Sequence, residues 1–227
     1  MPKDVPQTLK KHNFYGLELD EEQKVFRDLI WDKEKLIVFC DAKAGSGKTQ
    51  VAVGTANLLV EYGLYDGIVC VMFPCEEGKQ GFLPGDITQK SEVYFEPVYQ
   101  AIIKCKLEPY RVINDNSMAA NKNGDAYIKL LTATYLRGSN FENKVVIVDE
   151  AQNGNLSDLK KVLTRCSDNC KVIVIGHHGQ IDLKDKSSSG FTKYIEHFKD
   201  EPYCGVCTLT KNHRGIVSTK ADELLTT

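Results

Sequence analysis

Short, uninterrupted apolar runs recur along the chain: L-I-V-F-C at 36–40, G-I-V-C-V-M at 67–72, V-V-I-V at 145–148, K-V-I-V-I at 171–175 and G-V-C-T-L at 205–209. Runs of this length, rich in β-branched residues and without polar alternation, suit strands covered on both faces. Helical spacing separates them, at T-Q-V-A-V-G-T-A-N-L-L-V-E-Y (49–62), L-S-D-L-K-K-V-L-T-R (156–165), G-F-T-K-Y-I-E-H-F (190–198) and G-I-V-S-T-K-A-D-E-L-L (215–225). Strand and helix in alternation predict an α/β domain around a mostly parallel sheet sandwiched by helices. Residues 73–140 break the rhythm. A loop marked by glycine and proline (76–90) and a very polar one (114–125) predict a long irregular insert there. With no internal repeat and no linker, the reading is one domain.

Composition adds limits. The chain has 227 residues, 42% hydrophobic and 26% charged, enough for a substantial core. A net charge of −2 gives no overall basic field, although a local basic patch remains open. The first thirty residues lack the apolar core of a signal peptide, and no stretch approaches the roughly 18 apolar residues that span a bilayer. The expectation is an intracellular, cytoplasmic protein with no membrane partner. The 8 cysteines are then expected as free thiols. A zinc set from Cys166, Cys170, Cys204 and Cys207 is disfavoured, because alternation along Y-C-G-V-C-T-L puts the last two on opposite faces of a strand.

The clearest chemistry is D-A-K-A-G-S-G-K-T at 41–49. It leaves an apolar strand and opens a helix, the setting a phosphate-binding loop requires. Backbone N–H groups of Ala44, Gly45, Ser46 and Gly47 and the helix start at Lys48, Thr49 and Gln50 would hold phosphates. Lys48 would reach the β- and γ-phosphates of ATP, and the Thr49 hydroxyl would coordinate Mg2+. Ala42 stands where the phosphate-loop pattern G-x-x-x-x-G-K-[ST] begins with glycine. A second site, V-V-I-V-D-E-A-Q-N at 145–153, ends a strand in two acids. Asp149 suits the metal's water shell, and Glu150 suits a general base that polarises the attacking water. Both sites fall at C-terminal strand ends, where open α/β sheets bind ligands.

A third strand end, G-H-H-G-Q-I-D-L at 176–183, offers Gln180, whose amide can donate and accept beside a γ-phosphate. The adjacent His177 and His178 invite a metal reading. Neighbouring side chains in an extended chain point apart, and nothing in the spacing brings Asp182 or His213 to them, so that reading is set aside.

Together these segments resemble the PhoH-like family of phosphate-starvation-inducible ATPases, whose core is similar to the first motor domain of superfamily-one helicases. The likeness runs through L-D-E-E-Q-K-V-F-R-D, the phosphate loop, G-K-Q-G-F-L-P-G-D (78–86), T-Y-L-R-G (134–138), D-E-A-Q-N, L-T-R (163–165), G-x-x-x-Q-I-D-L, S-G-F (189–191) and T-K-N-H-R-G-I-V (210–217). It implies a single RecA-like P-loop NTPase domain over 20–225, after an N-terminal extension of 1–19. It also implies Gln23 as adenine reader and Arg214 as the arginine near the γ-phosphate that stabilises the transition state. RNA or single-stranded nucleic acid is the implied partner. Because one motor domain fills this length, a homo-oligomer, such as a hexameric ring, is expected if nucleic acid is moved. Arg137, Lys79, Gln80, Phe82 and Leu83 are further candidates for contact with nucleic acid or a partner. Lys43 stands where the family usually has proline, and His177 where its pattern G-D-x-x-Q has aspartate.

Overall fold

The structure, a computed structural model, describes residues 4–10, 13–73, 93–114, 126–133, 136 and 139–223. Its centre is a six-stranded sheet formed by β1 (Ile37–Ala42), β2 (Ile68–Met72), β3 (Ile128–Thr132), β4 (Val145–Asp149), β5 (Lys171–Gly176) and β6 (Cys204–Leu209), in the order β3-β2-β4-β5-β1-β6. Every pairing is parallel. All C-terminal strand ends therefore lie along one edge.

Two apolar layers explain the unbroken hydrophobic runs. Val38, Cys40, Val145, Ile147, Ile173 and Ile175 pack on one face, toward α1 (Glu21–Trp31), α2 (Lys48–Glu61) and α3 (Glu96–Lys104). Their sequence neighbours Phe39, Val146, Val148, Val172 and Val174 join the other core, with Leu159 and Val162 of α5 (Leu156–Leu163) and Phe191 of α6 (Phe191–Phe198). Period-2 alternation thus serves two cores rather than a core and a solvent face. α2 is buried along residues 51–59 because it packs against both α1 and α3 as well as the sheet. At α1, Asp20 accepts from the Gln23 backbone while the Gln23 side chain accepts from the Asp20 backbone, a reciprocal cap at the helix start.

The expected irregular insert at 73–140 is corrected by the structure. It contains α3, the short α4 (Pro109–Val112) and the edge strand β3. β3 escapes a hydrophobicity scan because it lies at the edge of the sheet and carries an exposed Lys129. Within the expected N-terminal extension, Leu9 and Phe14 are buried in the core. The last helix, α7 (Ile216–Glu223), begins with the exposed Ile216 and Val217. The loop motif at 78–86 and Lys79, Gln80, Phe82, Leu83 and Arg137 lie outside the described residues. Among the described residues no helix is long and apolar enough to cross a membrane.

Candidate functional site: a braced phosphate loop and an acid pair

β1 delivers the chain into a turn whose two glycines, Gly45 (φ 74°) and Gly47 (φ 81°), occupy the left-handed region. The turn is held from both sides. Gln23 Nε2 donates to the Ser46 carbonyl at 2.8 Å, and the His213 N–H donates to the Gly45 carbonyl at 2.9 Å. Asp20 links the two braces through its 2.8 Å contact with His213 Nε2. Side chains are excluded at both glycines. A Cβ on Gly45 would collide with Asn212, and one on Gly47 would lie 2.8 Å from Gln23 Nε2. Ser46 Oγ is buried at this turn without a hydrogen-bond partner.

α2 starts at Lys48, immediately after the loop. Thr49 Oγ1 donates to Asp149 Oδ2 at 2.9 Å, joining residues 100 positions apart. Lys48 Nζ lies 3.2 Å from Glu150 Oε1. Burial works against the Lys48 charge, but the attraction of Asp149 and Glu150 outweighs it and holds the ammonium above its ordinary range. Asp149 is fully enclosed, and burial pushes its carboxyl up despite the pull of Lys48.

Glu150 has φ 52°, a left-handed conformation that non-glycine residues adopt at a cost of about 1–2 kcal/mol. Its side chain is fixed by Gln152, whose Nε2 donates to Glu150 Oε2 at 2.6 Å. The other end of that amide, Oε1, accepts from the His177 N–H at 3.1 Å. Gln152 is 1% exposed and so binds the end of β4 to the end of β5. A Cβ on Gly176 would lie 2.8 Å from Gln152 Oε1, which explains the glycine that precedes the histidines.

Most of the residues expected from sequence gather at this edge. Arg214 lies over the loop, its Cγ 3.0 Å from where a Gly45 Cβ would stand, and its charge acts on Lys48. Gln180 is half-buried and closes a turn by donating its N–H to the His177 carbonyl at 3.0 Å. The amide of Gln23 is already committed at both ends, to the Asp20 N–H and the Ser46 carbonyl. Reading adenine would therefore require exchanging one of those bonds. The Gln50 amide turns onto α3, 3.4 Å from both the Ala101 carbonyl and Cys105 Sγ.

The expectation that His177 and His178 point apart is overturned. β5 ends at Gly176, so strand alternation stops before them, and their rings meet edge to face with centroids 5.4 Å apart. Both approach Asp41 at the end of β1. His178 Nδ1 is 2.5 Å from Asp41 Oδ2, and His177 Nδ1 is 3.7 Å from Asp41 Oδ1. Of the two partners considered from sequence, His213 is on Asp20, and neither belongs to the group that Asp41 forms with the two histidines. Cys204 packs into one core and Cys207 against the other, and among the described residues the cysteines form no metal-sized cluster.

Sequence reasoning assigned no role to Gln152 or Asp41, though both lie inside motifs it used. The available signal was their place within three residues of a strand's C-terminal end, on strands that must be near neighbours if both motifs serve one ligand.

A glycine-braced loop between a parallel strand and a helix, facing an acid pair on another strand, defines a RecA-like P-loop domain. The chain belongs to the PhoH-like protein family, whose model matches residues 18–222. Protein PhoH of Escherichia coli K12 is 32% identical over 181 residues, covering 79% of this chain and 49% of that protein. A PhoH-like protein of Synechocystis is 34% identical over 176 residues (77% and 51%), and PhoH2 of Bacillus subtilis 28% over 208 (90% and 46%). The chain thus spans about half the length of these relatives. Among solved structures, the HK97 bacteriophage large terminase aligns with TM-score 0.52 and 14% identity over 92% of this chain and 43% of that one. The Sulfolobus solfataricus SWI2/SNF2 ATPase core, solved in complex with double-stranded DNA, aligns with TM-score 0.50 and 14% identity over 90% and 47%. These likenesses establish the fold.

Proposed function

We propose that this domain binds ATP with Mg2+ and hydrolyses it, coupling turnover to RNA or single-stranded nucleic acid. The observation that carries the reading is the 2.9 Å contact between Thr49 Oγ1 and Asp149 Oδ2 beside the 3.2 Å pair of Lys48 and Glu150. A hydroxyl and a carboxylate at one spot form the hard oxygen donor set that suits Mg2+, and the cation there would favour the ionised form of Asp149. When bound, the metal neutralises charge developing on the phosphates. The remaining work falls to this chain's own groups. The amides of Ala44, Gly45, Ser46 and Gly47 hold phosphate oxygens, and Ser46 Oγ has hydrogen-bonding capacity to spare. Lys48 passes from Glu150 to the phosphates. Glu150, positioned by Gln152, then accepts a proton from the attacking water, while Gln180 orients that water and Arg214 stabilises the transition state.

Family membership supports nucleic acid as the partner, as does the DNA held by the SWI2/SNF2 core of similar fold. The exposed Ile216 and Val217 at the start of α7 suit burial against a second copy, in keeping with a homo-oligomer. The test is the ATPase rate with and without single-stranded RNA, with Lys48→Ala, Glu150→Gln and Arg214→Ala as controls. Glu150→Gln should lower kcat by about 10²–10⁴-fold, and Arg214→Ala by about 10³-fold. A wild-type rate equal to that of Lys48→Ala and Glu150→Gln would refute catalysis. Turnover indifferent to RNA would favour a nucleotide-dependent binding switch with slow hydrolysis.

A further inference from the structure

We propose that Asp41, His177 and His178 form a binding site for a divalent transition metal ion, Zn2+ above all, separate from the Mg2+ site at Thr49 and Asp149. Their ligand atoms all lie within 4.8 Å of one another. A tetrahedral zinc ion with bonds of about 2.0–2.2 Å holds its ligands roughly 3.3–3.6 Å apart. The 3.7 Å between His177 Nδ1 and Asp41 Oδ1 already approaches that separation. His178 Nδ1 and Asp41 Oδ2 are in hydrogen-bond contact at 2.5 Å. Ligation through His178 Nδ1 places the imidazole proton on Nε2, and the two atoms would separate by about 1 Å as the cation enters.

The surroundings fit a site rather than a chance contact. Parallel pairing of β1 with β5 sets Asp41 opposite Gly176, so the carboxylate and the histidines are presented by neighbouring strand ends. The His178 N–H donates to Asp41 Oδ1 at 3.1 Å and orients the carboxylate, as outer hydrogen bonds orient metal ligands. Gly179 leaves room for the His177 ring, where an added Cβ would come within 3.1 Å of it. The His178 side chain is 61% exposed, which gives the ion an entrance and a fourth position open to water. Imidazole nitrogen selects zinc-like ions over Mg2+, so the two sites discriminate by donor chemistry. Lys48, the nearby cation whose charge reaches His177, is countered by Glu150. A metal here would fasten the strand ends that carry the phosphate loop and Gln180.

Zinc binding requires no nucleotide, so the test stands apart from the ATPase reading. The full chain, stripped by a chelator and free of nucleotide, is titrated with Zn2+ by calorimetry. Co2+ is then substituted to show the donor type by visible absorption. The expected result is one ion per chain and a Co2+ spectrum without a thiolate charge-transfer band. Asp41→Asn, His177→Ala and His178→Ala should each weaken binding by at least about 10-fold. Circular dichroism of the metal-free variants checks folding; His178, being exposed, carries the test if the other two fail to fold. No stoichiometric binding by the wild type, a thiolate spectrum, or unchanged affinity in His178→Ala would overturn the proposal.

Discussion

Gln152→Ala tests the architecture of the site most directly, because one buried amide holds two elements. The substitution removes the 2.6 Å bond to Glu150 Oε2 and the 3.1 Å bond from the His177 N–H. A hydrogen bond to a charged group contributes about 1.5–3 kcal/mol, and partial exposure of the Glu150 side chain (36%) argues for the low end. Stranding the His177 N–H inside the protein costs a further ~1–3 kcal/mol, less whatever water can enter the space. The sum, about 2–4 kcal/mol, should lower the melting temperature by roughly 5–15 °C for a domain of this size.

The same change frees Glu150 from its fixed position. Urea unfolding measures the stability loss, and steady-state ATPase assays measure the functional one. The fall should be in kcat rather than KM, since Gln152 touches the proposed base and not the phosphate loop. A stability loss below about 0.5 kcal/mol with unchanged kcat would mean that Gln152 neither joins β4 to β5 nor positions Glu150.

Gly47→Ala should cost about 1–2 kcal/mol from its left-handed backbone alone, and more through the clash with Gln23. Melting and nucleotide-affinity measurements should both register it; unchanged values would contradict the braced loop. Buried Lys171, whose Nζ donates to the carbonyls of Asp32 and Lys35, has its pKa pushed down to about 8 by desolvation, partly offset by Asp32. The unfolded chain then binds more protons than the folded one between about pH 8 and 10.5, so this residue makes stability rise with pH across that window. Buried thiols such as Cys70 and Cys105, pushed up by desolvation, act in the opposite sense. The quantity to measure is therefore the difference between wild type and Lys171→Met, which should change by on the order of 3 kcal/mol over the window; a flat difference would refute it. His177→Asp sets a second carboxylate beside Asp41, and like-charge repulsion should raise one of the two carboxyl pKa values. The pH–rate profile of ATP hydrolysis should shift accordingly, and an identical profile would make position 177 purely structural.

What the sequence disclosed follows from how each element is buried. β1, β4 and β5 lie inside the sheet with both faces covered, so they read as unbroken apolar runs. β3 lies at the edge with Lys129 exposed, and its signal resembles that of a loop. The phosphate loop was legible because its chemistry is local: five consecutive residues, Gly45 to Thr49, carry both the turn and the reactive groups. The Asp41–histidine group was not, since its members are 137 positions apart and meet only through the register of β1 on β5. Adjacent histidines were expected to diverge on the rule for an extended strand. That rule ceased to apply one residue earlier, at Gly176.

The braces also explain how the side chain at position 177 can vary without disturbing the strand end. Gln152 holds this position through the backbone N–H, which any residue but proline supplies. The side chain at 177 is thereby released from structural duty and faces Asp41. An imidazole there, unlike a carboxylate, sets no like charge beside Asp41. The strand end thereby offers nitrogen donors as well as a carboxylate. In this chain, the backbone geometry around the phosphate loop and the chemistry at its margin are specified by different atoms of the same residue.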